Sequence, residues 1–250
     1  MKSIIRTLVI GLFSLGLVTI SSAQTSPASP SGSSSAAAGA TNSARTDVYH
    51  VHFAHADLGK AAELGESLKT PAPDAPMPDH FIILRHQQGD TWDYVMISHY
   101  GTKMTIEAAR QQQANARRDL SDWHNDTVVN GPPWSEFTRA LGIGDDAKKT
   151  SGSVYAVSVY RVAPGHRDEA EKMLGQGPAA GDKAVGNVLM QHLEGSPWQY
   201  LSVVRYNSWQ DFAATQTSSV PETGKKDSPW SQLRQNVVYH TDTLCDRLAP

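Results

Sequence analysis

Two histidines stand two residues apart, at 50 and 52, in VYHVHFAH, a stretch (48–55) whose alternation and Val, Tyr and Phe content predict a β-strand. Alternate side chains of a strand project to one side, so both imidazoles point the same way with Cβ atoms about 6.6 Å apart. Histidine titrates near neutral pH and two neighbouring imidazoles resist double protonation, which suits one of them to acid–base or ligand-orienting work. The pair could also begin a metal site, but zinc takes three or four ligands. None is supplied locally: His99 is expected on the opposite face and His86 at a turn. His240 or Asp242, on a last strand expected to border the first, are the nearest alternatives. The plainer reading makes His50 and His52 polar groups of a cavity or interface, satisfied by water, tyrosine hydroxyls or backbone. No metal is assigned.

What positions this strand emerges when the chain is compared with itself. VYHVHFAHADLGKAAEL (48–64) aligns with VYAVSVYRVAPGHRDEA (154–170), and HQQGDTWDYVMISHY (86–100) with HLEGSPWQYLSVVRY (192–206), both at an offset of 106 without gaps. Val48, Tyr49, Val51, Gly59, Glu63, Leu68, His86, Gly89, Trp92, Tyr94 and Tyr100 all recur, eleven identities over 53 positions. That is several times what random pairing gives, and it predicts two copies of one unit. A later echo, PPWSEFTRAL (132–141) against SPWSQLRQNV (228–237), falls at offset 96. Trp134 and Trp230 there read as helix-start anchors beside proline.

Each copy reads strand, helix, strand, strand, helix, strand. In the first, the helix is expected over 58–68, a hairpin over FIILRH and WDYVMISHY, and a long helix carrying Ile106, Ala109, Ala116, Leu120 and Trp123. The second gives strands at 154–162, 187–193, 198–206 and 237–248, and helices at 166–175 and around Trp209, Phe212 and Ala213. This order is that of the ferredoxin-like split βαβ unit. Its sheet has helices on one face and leaves the other bare, so a partner must cover it.

The duplication and element order over about 48–248 resemble the dimeric α/β-barrel superfamily, which includes antibiotic-biosynthesis-type monooxygenases and NIPSNAP-like and EthD-like proteins. The resemblance implies an α+β fold of two tandem ferredoxin-like units, 46–150 and 151–250, packed sheet to sheet as an intramolecular dimeric α/β barrel. It also favours cofactor-independent oxygenation or proton transfer if the protein is an enzyme. No motif selects a branch, so no family catalytic residue is carried over.

Splitting the strands by alternation puts Tyr49, Val51 and Phe53 on one face and His50, His52 and Ala54 on the other. The more apolar set, with Val95 and Ile97, is expected under the helices. His50 and His52 are then the candidate catalytic residues. Tyr94, Met96, Ser98, Ser158, Tyr160 and Tyr200 become the candidate ligand-binding lining of an amphipathic cleft between the sheets, suited to a small, partly apolar molecule. The counterparts of His50 and His52 in the second copy are Ala156 and Ser158, so the first copy is the better place for a reactive centre.

The N-terminus, MKSIIRTLVIGLFSLGLVTISSAQ, places Lys2 and Arg6 before an apolar run and a small-residue site ending at Ala23, which reads as a signal peptide over 1–23. The run is short of the ~20 apolar residues that an anchor needs. Residues 24–45, rich in Ser, Ala, Gly and Pro, read as a disordered linker. A secreted or periplasmic location follows. One cysteine, Cys245, excludes an internal disulfide framework and reads as a buried small residue. Of 22 basic and 25 acidic residues, removal of Lys2 and Arg6 leaves 20 against 25, about −5, with no basic stripe for nucleic acid or an anionic membrane.

GQGPAAGDK (175–183) lacks phosphate-loop spacing. His86, His192, Trp92 and Trp198 read as turn and hairpin packing. ARRDLSDWHND (116–126) reads as a solvated helix face. The expected partner is a small molecule, with the cofactor left open, no nucleic acid, no membrane after signal cleavage, and homo-oligomerisation left open. The alternative is a non-catalytic binding or assembly module.

Overall fold

The computed structural model describes residues 44–70, 75–102, 120–144, 148–179 and 181–250. The expected signal peptide, nearly all of the expected linker, and most of the long helix expected around 106–123 lie outside these residues. Eight strands and five helices occur among them: β1 (Asp47–Ala56), α1 (Ala61–Leu68), β2 (Phe81–Gln88), β3 (Tyr94–Gly101), β4 (Ser121–Gly131), α2 (Trp134–Leu141), β5 (Val154–Val162), α3 (Arg167–Leu174), β6 (Ala184–Glu194), β7 (Tyr200–Tyr206), α4 (Trp209–Thr223), α5 (Pro229–Asn236) and β8 (Val237–Ala249).

The strands pair antiparallel and close into a barrel in the order β1-β3-β2-β8-β5-β7-β6-β4. The seams are β2 with β8 and β6 with β4, so each half of the chain covers an edge of the other and no open edge is left. Pairing of β1 with β3 sets His50 opposite Ser98, and pairing of β5 with β7 sets Ala156 opposite Val204, the same register 106 residues on.

The last strands follow a different offset. His52 faces Asp126 and Ser158 faces Asp242, so β4 and β8 correspond at 116. The PWS helices both start where expected, with Pro133 capping α2 and Pro229 opening α5. They are not equivalent, however: α2 follows β4 whereas α5 precedes β8. Trp123, expected on a helix, lies on β4, because the alternating segment 121–131 pairs with both β1 and β6.

The faces are reversed relative to the sequence expectation. Tyr49, Val51, Phe53, Val95 and Ile97 cluster with Tyr155, Val157, Leu201 and Val203 from the other half, so the apolar set fills the space between the sheets. Tyr94, Met96 and Ala54 instead pack with Leu64 and Leu68 of α1, on the outer side. The Tyr94 hydroxyl donates to the Ala61 carbonyl at 2.7 Å. The physical reason is that closing the barrel buries its interior from every strand at once. That space therefore takes the most apolar set, while short helices shield the outer face only in part. Phe137 and Leu141 of α2 join the interior cluster.

Candidate functional site: histidines on one carboxylate

Antiparallel pairing of β1 with β4 places His52 directly opposite Asp126, with Val128 opposite His50 and His124 opposite Ala54. His50, His52, His124 and Asp126, all at even positions of this pair, share the outer face. His52 Nδ1 lies 2.8 Å from Asp126 Oδ1 in a hydrogen bond. His50 Nε2 reaches the same oxygen at 2.8 Å, though out of line for a good hydrogen bond, which leaves that buried nitrogen without a well-formed partner. His124 Nε2 stands 3.6 Å from Asp126 Oδ2.

A carboxylate can only accept, so His52 Nδ1 carries a hydrogen, and in the neutral ring the lone pair is on Nε2. Burial alone would raise the Asp126 carboxyl pKa, but the two imidazoles outweigh it, His52 by its hydrogen bond and both rings by close attraction, and hold the acid well below the usual carboxylate range. Asp126 is therefore a fixed anion that orients His52 and faces any positive charge that develops on the imidazoles. The His50 and His52 side chains are mostly buried, 15 % and 18 % exposed, so they meet solvent through only a small part of each ring. Tyr100 stacks on His50 with centroids 5.5 Å apart. Among the described residues, no group of three or more His, Cys, Asp or Glu is arranged to hold a metal ion.

The other sequence candidates are divided. Ser98 is opposite His50, and Met96 opposite His52, on the same outer face; Tyr94 follows, opposite Ala54. Ser158, Tyr160 and Tyr200 belong to the second half and do not join the histidines. Tyr160 and Tyr200 pack with Ala170 of α3, Tyr200 donates to Glu171 Oε2 at 2.6 Å, and Ser158 is buried opposite Asp242. His240 lies opposite Tyr160 on β5, so β8 brings no ligand to His50.

Sequence reasoning missed Asp126 and His124 because 116–126 reads as a helix face. A signal was present: HNDT (124–127) matches HTDT (240–243) at offset 116. The histidine and aspartate of β4 thus recur on β8, where Asp242 faces Ser158 in place of a histidine. The half-specific feature is the His-x-His of β1.

No family model matches the chain, and no curated protein does. Solved structures do. One described as an anthrone oxidase-like protein superposes with a TM-score of 0.57 at 11% identity, covering 84% of this chain and 93% of that one. Two others, each described as a "putative monooxygenase", come from Fusobacterium nucleatum subsp. nucleatum and Lactobacillus acidophilus NCFM. Their TM-scores are 0.51 and 0.50 at 8% and 7% identity, covering 83% and 82% of this chain and 94% and 95% of theirs. The chain therefore has the α+β barrel fold of these monooxygenase-like proteins.

Proposed function

We propose that the protein is exported, that its barrel is a tandem duplication of a ferredoxin-like unit, and that it handles a small, partly apolar aromatic molecule with His50 and His52 as its proton-transfer groups. One observation carries the reading: two imidazoles from one strand converge on a single carboxylate oxygen. The 106-residue correspondence supports it, because the strand at 154–162 keeps the same register with Ala156 and Ser158 in place of the pair.

The chemistry follows from the tautomer. His52 Nε2 takes a proton from an acidic hydroxyl or an enolisable carbon, Nδ1–H stays on Asp126, and the imidazolium is neutralised by the carboxylate. The substrate is left as an electron-rich anion. The monooxygenase and anthrone-oxidase descriptions of the structural neighbours make direct reaction of such an anion with oxygen the favoured sequel. Binding is placed on the outer face beside Ser98, Met96 and Tyr100, since side chains already fill the space between the sheets.

That filled interior favours a second reading, a non-catalytic binding or assembly module. Native mass spectrometry on protein from its own host separates the two. A co-purifying small molecule that is lost from His52→Ala and Asp126→Asn supports the first reading, and an unliganded assembly of defined stoichiometry supports the second.

A further inference from the structure

At the start of β1, away from His50 and His52, three side chains form a chain. His99 Nε2 lies 2.9 Å from Asp47 Oδ2, and His99 Nδ1 lies 3.0 Å from His80 Nδ1. Both imidazoles lie parallel to the Trp134 indole of α2, with centroids at 4.6 Å for His80 and 5.3 Å for His99. Asp47 also accepts the backbone N–H of Trp134 at 3.0 Å, which ties the carboxylate to the first residue of α2. The side chains of His99 and Asp47 are only 6 % and 16 % exposed, whereas His80 is half-buried.

The proton positions follow in order. Asp47 can only accept, so His99 Nε2 holds a hydrogen. Burial pushes the His99 pKa down against the pull of Asp47, and His80 pushes the same way as burial, so the ring is neutral at pH 7 and its Nδ1 is an acceptor. His80 Nδ1 must then be the donor, and in the neutral His80 ring the lone pair is on Nε2, at the half-exposed end. We propose that Asp47, His99 and His80 form a second acid–base site, a carboxylate–imidazole–imidazole relay whose terminal base, His80 Nε2, takes a proton from a small weak acid of the phenol or enol class.

The step is balanced within the chain. The acid loses H⁺ to His80 Nε2, and the His80 Nδ1 hydrogen stays hydrogen-bonded to neutral His99 Nδ1, which Asp47 holds in the acceptor tautomer. The positive charge then rests on the half-exposed His80 ring, over the face of Trp134, which favours cations. An imidazole base matches acids of comparable strength, which selects phenols and enols over aliphatic alcohols. The other charged group facing this region from α2 is Glu136, which acts on neighbouring Tyr49.

The second half pairs the equivalent strands without these groups. Asp47, His80 and His99 correspond at offset 106 to Ser153, Gly186 and Arg205. Gly186 pairs with Arg205 as His80 pairs with His99. The backbone is repeated and the relay is not. This site is independent of the His50/His52 reading and either can fail alone.

The test is long-range ¹H–¹⁵N NMR of the imidazoles in the full chain, together with modification by diethyl pyrocarbonate, an electrophile that reads unprotonated imidazole nitrogen. The relay gives His80 the Nδ1–H tautomer and His99 the Nε2–H tautomer. His80 is carbethoxylated first, and Asp47→Asn slows that modification at least about tenfold, while His50→Ala leaves it unchanged. His99→Gln, which need not disturb the Trp134 cap, must slow it as well. An Nε2–H tautomer at His80, or a modification rate unaffected by both variants in folded protein, overturns the proposal.

Discussion

His52 and Asp126 face each other across β1 and β4, and the 2.8 Å hydrogen bond between them fixes which nitrogen of His52 is basic. Because His50 reaches the same oxygen, one carboxylate governs two imidazoles.

The first prediction concerns Asp126 and acid. In the folded chain its carboxyl is held below the ordinary carboxylate range, so the folded state binds fewer protons there than the unfolded state. Its stabilising effect is therefore fully present above an unfolded carboxylate pKa of about 4 and is lost as pH falls toward the lower folded value. Asp126 is 40 % exposed, so the effect is screened and amounts to no more than about 1 kcal/mol. Urea unfolding at pH 7 and pH 3 measures it: Asp126→Asn flattens the difference between the two. An undiminished difference means other carboxylates carry the acid sensitivity.

His50→Ala and His52→Ala test whether the pair is functional rather than architectural. Their counterparts Ala156 and Ser158 sit in a strand of the same register, so each variant keeps the fold and shifts stability by less than about 1 kcal/mol. Ligand binding or turnover falls in both, and more in His52→Ala because His52 makes the aligned hydrogen bond. Loss of cooperative unfolding in either variant would assign the histidines to the core instead.

The positions of the strands were legible because Val, Tyr and Ile alternate cleanly through 48–55, 94–100 and 154–162. What alternation does not reveal is which face turns inward. Tyr49, Val51 and Phe53 could sit under helices or inside a barrel, and closure decides for the interior because it excludes water from all eight strands together. Asp126 was hidden for a related reason. Asp122, Trp123 and His124 look like a solvated helix end until β1 is given a neighbour on each side. His99 lies on the face opposite His50, as alternation implies, and Asp47 and His80 meet it there.

Gly195 shows how tightly the two halves are sewn together. It sits in the turn between β6 and β7 at φ +116°, and a Cβ there would press on the Asp126 carbonyl and come within 2.9 Å of Thr127 Cα. Gly89 in the other hairpin, at φ +137°, meets Thr243 Cα at 2.6 Å in the same way. Each hairpin turn thus rests on the last strand of the opposite half. Gly195→Ala combines a disfavoured backbone with a backbone clash and destabilises by about 2–4 kcal/mol. Gly59→Ala has positive φ but open space, so it costs less, about 1 kcal/mol. Equal midpoints for the two variants in urea would remove the packing explanation.

Tyr49 and Tyr155 correspond at offset 106, yet both hold α2, which belongs to one half only. The Tyr49 hydroxyl donates to the Pro132 carbonyl at 2.6 Å, just before the helix, and Tyr155 donates to the Leu141 carbonyl at 2.9 Å, at its end. Both tyrosines are fully buried. Tyr49→Phe leaves a buried carbonyl without its donor, at a cost of about 1–3 kcal/mol. Hydrogen exchange should quicken for α2 amides ahead of the strands. Uniform acceleration over the whole barrel would show that the tyrosine supports the fold globally rather than this helix.

Cys245 gives a direct measure of how closed the interior is. Its side chain belongs to the interior cluster, fully buried on β8, and burial pushes its thiol pKa well above the ordinary value, with the Asp246 carboxylate adding to the effect. Reactivity belongs to the thiolate, which is both scarce and shielded here. The folded protein should therefore resist a disulfide reagent such as DTNB at pH 8, with a rate at least about a hundredfold below that in urea. Gly195→Ala, by loosening the hairpin packed on the last strand of the opposite half, raises the folded-state rate in proportion to its loss of stability, because modification then proceeds through opening. Rapid labelling of the unmutated protein without urea would mean that reagent reaches the space between the sheets, and would move the ligand site from the outer face back to the barrel interior.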